Sequence, residues 1–209
     1  MIVLDIETTG LDPDRSSIVS LGAVSLVDTN KTFYMECRVW NGAEIHQEAL
    51  NVNGFTRDEI MDEEKCSDAQ LIAKFSEWLA QQNDYVFGGL NHHFDLLFIM
   101  AAARRGGITV GLESGSVVPK RIVDLHSVCY AHMVARGVAP PVSENGFSKL
   151  RGEDIYKYVG IPAEPHPHNS LNGAVWEAES LSRLLYQRSS FEKFFDHSIP
   201  WLEESGAKR

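Results

Sequence analysis

Cysteine is scarce in this chain, and the scarcity excludes several architectures. The three thiols, Cys37, Cys66 and Cys129, are odd in number and far apart, so they form neither a disulfide framework nor a CxxC-type metal knuckle. They read as reduced thiols of a cytoplasmic protein. No apolar run is long enough to span a bilayer. A candidate catalytic motif begins at Asp5, which leaves no room ahead of it for a signal peptide. Internal repeats and low-complexity tracts are missing as well. Positive charge is in deficit: 19 Lys and Arg against 29 Asp and Glu leave a net charge of −10. That balance excludes a protein that coats long duplex DNA through a broad basic face. It leaves room for one that grips a few nucleotides, because bound divalent ions supply local positive charge. The basic pairs Arg104/Arg105, Lys120/Arg121 and Lys149/Arg151 read as solvated helix ends or loops.

What is present suits a soluble fold. The 209 residues, 44% apolar and 23% charged, match one globular domain with a sizeable core. Residues 2–7 read as a short buried strand and 17–27, nearly all apolar, as a central one. Residues 32–40 alternate, with Phe33, Met35, Cys37 and Val39 on one face, which predicts a half-exposed edge strand. Ser67-Asp68-Ala69-Gln70 is a capping box that opens a helix with Leu71, Ile72, Phe75, Trp78 and Leu79 on one stripe. A fourth strand is expected at 85–90, then a helix at 94–107 that is apolar nearly all round and therefore buried. A fifth strand at 121–125 runs into a helix ending near Ala135. Segments 137–147 and 161–168 read as loops, and a long helix follows from about Ser170, with Ala174, Ala178, Leu181 and Leu185 on one stripe. This order implies an α/β fold with a mixed sheet and helices on its faces. Residues 189–209, rich in aromatics, are expected to form a helical tail packed back on a domain of 1–188.

Three places carry chemistry. Asp5 and Glu7 lie two apart on a strand, so both side chains point to one face. On a strand otherwise made of Ile2, Val3, Leu4 and Ile6, two carboxylates need a partner, and a divalent cation is one. The turn after them, Thr8-Thr9-Gly10-Leu11, offers amides and hydroxyls to a phosphate or sugar, and Leu11 a wedge against a base. Asn91-His92-His93-Phe94-Asp95 lies at a strand-to-helix junction, which puts Asp95 in the first turn of a buried helix. There it reads equally as a first-turn acid or as a third metal-binding carboxylate, and Asp5 and Glu7 on the same sheet favour the second. His168, on a Pro-flanked loop just before the last helix, has the pKa range to take a proton from water.

In this order DIETTGL at 5–11, NHHFD at 91–95 and the histidine at 168 resemble the three exonuclease motifs of the DEDDh (DnaQ-like) superfamily. That group includes the proofreading subunit of bacterial replicative polymerase and RNase T. The similarity covers about residues 1–188, including Ile122-Val123-Asp124-Leu125 and Val159-Gly160-Ile161-Pro162. The resemblance implies an RNase H-like fold with a mixed five-stranded sheet. It implies a two-metal 3'–5' exonuclease acting on the 3' end of single-stranded DNA or RNA. Asp5, Glu7 and Asp95 would hold two Mg²⁺ or Mn²⁺ ions. His168 would be the general base, and Thr8, Thr9, Leu11 and Asn91 would contact the terminal nucleotides.

The third motif departs from the pattern. The family places an aspartate five residues after the histidine, where this chain has Gly173. Glycine in a helix costs about 1 kcal/mol relative to alanine, so it is not there for stability. The residue is expected to face Asp5 across a gap the size of a carboxylate. On that expectation Gly173→Asp raises the rate and Glu177, one turn further on, matters little; the opposing reading is that Glu177 reaches in and restores the ligand set. The alternatives are a relative that binds nucleic acid without cleaving it, and a metal-dependent hydrolase of small phosphoesters.

Overall fold

The computed structural model describes residues 1–84, 86–108, 117–119 and 121–206. Tyr85 and Lys120, which belong to the expected fourth strand and to one basic pair, lie outside the described residues.

Five strands form one sheet: β1 (Ile2–Thr8), β2 (Ile18–Ser25), β3 (Thr32–Glu36), β4 (Phe87–Gly89) and β5 (Ile122–Asp124), in the order β3-β2-β1-β4-β5. The first three pair antiparallel, while β4 runs parallel to both β1 and β5. The sheet is therefore mixed, with β3 at one edge, as the alternation of 32–40 requires. The edge strand is shorter than expected. After Glu36 the backbone changes partners: Arg38 donates to the Cys66 carbonyl and Val39 to that of Ile60.

Ile60 belongs to a helical insert for which the sequence reading has no element. It comprises α1 (Gln47–Asn53) and α2 (Arg57–Met61). Both are too short to show an apolar stripe. The signal that finds the second is the capping box at Thr56 and Glu59, whose side chains satisfy each other's backbone amides.

Period-two alternation along β1 divides the core. Ile2, Leu4 and Ile6 face α3 (Asp68–Leu79) and α4 (His93–Arg105), where they meet Leu71, Phe75, Phe98 and Ile99. Val3 on the other face packs under α7 (Ser170–Tyr186) with Ala174, Ala178 and Leu181. Asp5 and Glu7 share the α7 face with Val3 by the same alternation. The α7 backbone crosses the sheet at Gly22, the register partner of Asp5. A Cβ there would come within 2.2 Å of the Leu171 nitrogen, so only glycine permits this approach.

The remaining helices are α5 (Leu125–Ala135), α6 (Gly152–Val159) and α8 (Pro200–Gly206), with a 3-10 turn at Glu192–Phe194. Two expectations about helix faces need correction. Leu97 on α4 is 50% exposed, so that helix is not buried all round. Helix α7 is buried continuously from Gly173 to Leu184 rather than along one stripe, because the sheet covers one side and the C-terminal segment the other. A buried ion pair fixes that segment. Arg183 donates to Glu179 Oε1 at 2.6 Å and to the carbonyls of Val159, Phe194, His197 and Ser198. Glu179 also accepts from the Ser189 hydroxyl and from the Ser190 and Phe191 amides. Every polar atom of the pair thus meets a partner, the condition under which two charges are tolerated in a core. All three cysteines are free thiols. No described helix is long and apolar enough to cross a membrane.

Candidate active site: a buried cluster of carboxylates

The sheet brings the three motifs to one place. β1 delivers Asp5 and Glu7 beneath α7. β4, parallel to β1, ends at Gly89 and feeds a tight junction into α4, whose first turn carries Asp95. Asn91 takes a left-handed conformation in that junction (φ 57°), which asparagine tolerates better than most residues. Its amide donates to Asp124 Oδ2, so the end of β5 holds the junction in place. Gly173 and Glu177 lie on α7 directly above.

Burial dominates the electrostatics. It pushes the Asp5 carboxyl well above the usual carboxylate range, and Glu177, Asp95, Glu7 and Glu164 then raise it further. Glu7 is pushed up to about 8 by burial, then by Glu164 and Asp95. Asp95 is raised by burial, against hydrogen bonding and charge that pull it back down. Glu177 is raised well above its ordinary value by burial and then by Asp95, against the opposing Leu90 amide. Glu164 is pushed up to about 7 by burial, and Lys193 opposes that rise. These five carboxylates therefore act on one another as a single group. One Glu164 oxygen, Oε1, is buried without a hydrogen-bond partner. His92, 1% exposed, sets Nδ1 3.5 Å from Asp95 Oδ2, too long for a formed hydrogen bond.

A cluster of carboxyl groups whose charged forms find so little compensation has the chemistry of a hard-cation site, all oxygen donors. As the side chains stand, no three His, Cys, Asp or Glu among the described residues form a compact ligand set. The donor types fit Mg²⁺ or Mn²⁺, and side-chain rotation is needed to close on an ion.

The expected gap at Gly173 is not there. A Cβ built on Gly173 would meet Asp5 Oδ2 at 2.1 Å and Asp5 Cγ at 2.9 Å, so the Asp5 side chain itself fills the space opposite. The position faces Asp5 as expected, but nothing larger than hydrogen fits beside that rotamer.

The remaining candidates lie at the turn after β1 and just ahead of α7. Thr8 and Thr9 are buried, and both hydroxyls are engaged. Thr8 Oγ1 donates to the Gly10 carbonyl, while Thr9 Oγ1 donates to the Glu44 carbonyl and accepts from the Ser17 amide. These bonds shape the turn that leaves Leu11 85% exposed. A cleft of about 650 Å³ opens there, lined by Glu7, Thr8, Leu11, His46, Asn53 and Phe94 among others. Glu7 thus joins the buried cluster to an open groove. His168 lies two residues before the first residue of α7, its amide bonded to the Val52 carbonyl and its ring against His166. Burial and then His166 lower its pKa, so the imidazole is neutral at pH 7 and able to accept a proton.

Sequence reasoning leaves Glu164 out of this group and names Glu177 only as the alternative donor for the missing acid, since residues four apart share a helix face. Glu164 lies in an irregular loop, where spacing carries no directional signal.

The exonuclease family model matches residues 2–114, more than half of the chain. Among solved structures, E. coli Exonuclease I in complex with a dA16 oligonucleotide is 16% identical, with a TM-score of 0.68 over 87% of this chain. A moderately thermophilic Exonuclease I from Methylocaldum szegediense is 19% identical, with a TM-score of 0.69 over 90% of the chain. At such identities the likeness is one of fold. The chain spans about 40% of the length of either protein. A search of curated proteins returned no match.

Proposed function

This chain belongs to the DnaQ-like exonuclease superfamily, and we propose that it is a divalent-metal-dependent 3'–5' exonuclease that removes nucleotides singly from single-stranded 3' ends. The observation that carries the proposal is the gathering of Asp5, Glu7 and Asp95 into one mutually repelling, buried set whose Glu7 opens on a groove. Such a set is costly in an empty core and useful around two cations. The acidic surface and the limited groove favour a frayed or single strand over long duplex. Exonuclease I, with the same fold, is known in complex with single oligonucleotides such as dA16 and dT13, which supports the same substrate class here.

Asp5, Glu7 and Asp95 would hold the ions. Bound there, the ions supply Lewis acidity at the attacking water and at the departing 3' oxygen. The chain's own residues do the rest. Neutral His168 accepts the proton of the water as its oxygen bonds to phosphorus and the P–O3' bond breaks. Thr9 and Thr8 hold the turn that carries Leu11, and Leu11 abuts the terminal base. Asn91 lines the approach at the β4–α4 junction. The unit that performs this chemistry is residues 1–188, and the tail of 189–209, as far as it is described, buttresses α7 through Phe191 and Phe194.

The test is hydrolysis of 5'-labelled linear and circular single strands, DNA and RNA, with Mg²⁺ or Mn²⁺. We expect a ladder shortening by one nucleotide from the linear 3' end, no cut in the circle, and no activity in Asp5→Asn or Asp95→Asn. Cutting of the circle would show an endonuclease. Binding of the linear strand with no cleavage under either metal would favour a binding protein that keeps the groove alone.

A further inference from the structure

Helix α7 lacks the family's acid at its first turn, yet it turns a different carboxylate into the same cluster. We propose that Glu177 supplies the fourth carboxylate of the divalent-ion site, in the role an aspartate at position 173 would take. The inference rests on the exonuclease reading above.

Three observations carry it. The first is that position 173 cannot serve. Glycine at 173 carries no carboxylate, and a Cβ there would lie 2.1 Å from Asp5 Oδ2 as that side chain stands, so a fourth donor on α7 has to come from another position. The second is placement. Glu177 follows Gly173 by one helical turn on the same face and is 5% exposed. Its Oε2 accepts the Leu90 amide at 3.0 Å. That bond anchors the carboxylate where the chain leaves β4 for α4, beside the strand carrying Asp5 and the turn leading to Asp95.

The third is a contrast within the same helix. Glu179, two residues on and equally buried, meets Arg183 and three further donors. Where this fold uses a buried acid as a structural anchor, it provides a cation. The charged groups that act most strongly on Glu177 are instead Asp95, Glu164 and Asp124, all acids, and Glu177 in turn acts on Asp5. A buried carboxylate among acids lacks the partner that only a cation supplies.

The test uses the full chain without nucleic acid. Glu177→Gln keeps an oxygen to accept the Leu90 amide and removes the charge. Mn²⁺ binding is measured by calorimetry and by the free-ion paramagnetic signal, together with the melting temperature with and without Mn²⁺. Removing supporting groups around a metal costs about 10–100-fold in affinity, so loss of a direct ligand should weaken at least one Mn²⁺ by about tenfold or more. The metal-free melting temperature should stay within about 4 °C of the parent. Parental Mn²⁺ affinity in Glu177→Gln overturns the assignment. So does a collapse of metal-free stability, which would make the carboxylate a structural anchor for Leu90. Loss of Mn²⁺ in Glu164→Gln but not in Glu177→Gln overturns it in favour of Glu164. A parent protein that binds no Mn²⁺ sinks the metal-exonuclease reading itself. A parent that binds and cleaves, with an indifferent Glu177→Gln, sinks only the role of Glu177.

Discussion

Replacing Gly173 by alanine sets two effects of opposite sign against each other. Alanine in a helix interior gains about 1 kcal/mol over glycine. Here the new methyl would lie 2.1 Å from Asp5 Oδ2 and 3.3 Å from Asp5 Cβ, against a half-buried side chain. Forcing an extra carbon into a packed core costs about 1–3 kcal/mol. The balance is a loss of about 1 kcal/mol, which lowers the melting temperature by about 2–4 °C in a chain of this size. Displacing Asp5 should also weaken Mn²⁺ binding and hydrolysis by about tenfold or more. The assays are a thermal melt followed by circular dichroism and hydrolysis of a labelled oligonucleotide. Gly173→Asp meets the same contact and adds an anion to the cluster, so its rate should fall too. This reverses the expectation drawn from the motif alone. An alanine variant that melts about 2–4 °C higher, as helix propensity alone would have it, with unchanged activity would refute the packing. A tenfold gain in Gly173→Asp, with Glu177→Ala indifferent, would show that the motif was right.

Three further outcomes are expected. Arg183→Met leaves Glu179 buried without its cation, a loss of about 3–5 kcal/mol, and should lower the melting temperature by about 6–20 °C; a shift under about 3 °C would show that the C-terminal segment does not depend on the pair. The carboxyls of Glu7 and Glu164 sit at about 8 and about 7, above their ordinary values, so the folded protein holds protons that the unfolded chain has released. Metal-free stability should therefore fall as pH rises from about 4.5 to about 8, and Mn²⁺ should offset the fall; melts in EDTA and in Mn²⁺ across that range check it, and a metal-free curve that rises with pH contradicts it. His168→Ala should lower kcat by about 10²–10⁴-fold while Mn²⁺ affinity holds; equal loss of both would make the histidine a support for the metal site rather than a base.

The sequence by itself determined much of this protein. The buried run at 2–7, the apolar run at 17–27, the alternation from 32 and the capping box at Ser67 each carry a local signal, and β1, β2, α3 and a shorter β3 appear where those patterns place them. Asp5 and Glu7 share a face because a pleated strand allows nothing else, and Asp95 falls in the first turn of α4 because that helix begins at His93. The helices at 47–61 were missed because so few turns leave no periodic trace. Tertiary structure alone decided the rest. The glycine at 22 lets α7 settle on the sheet, and that depth of packing brings the backbone at 173 against Asp5 and leaves no space for the missing acid. The same packing carries Glu177 to the end of β4 and encloses Glu179 with Arg183. Two acids two residues apart on one helix thereby meet opposite surroundings. Sequence spacing records which residues share a helix face, but the partners that face meets are fixed only when distant segments pack.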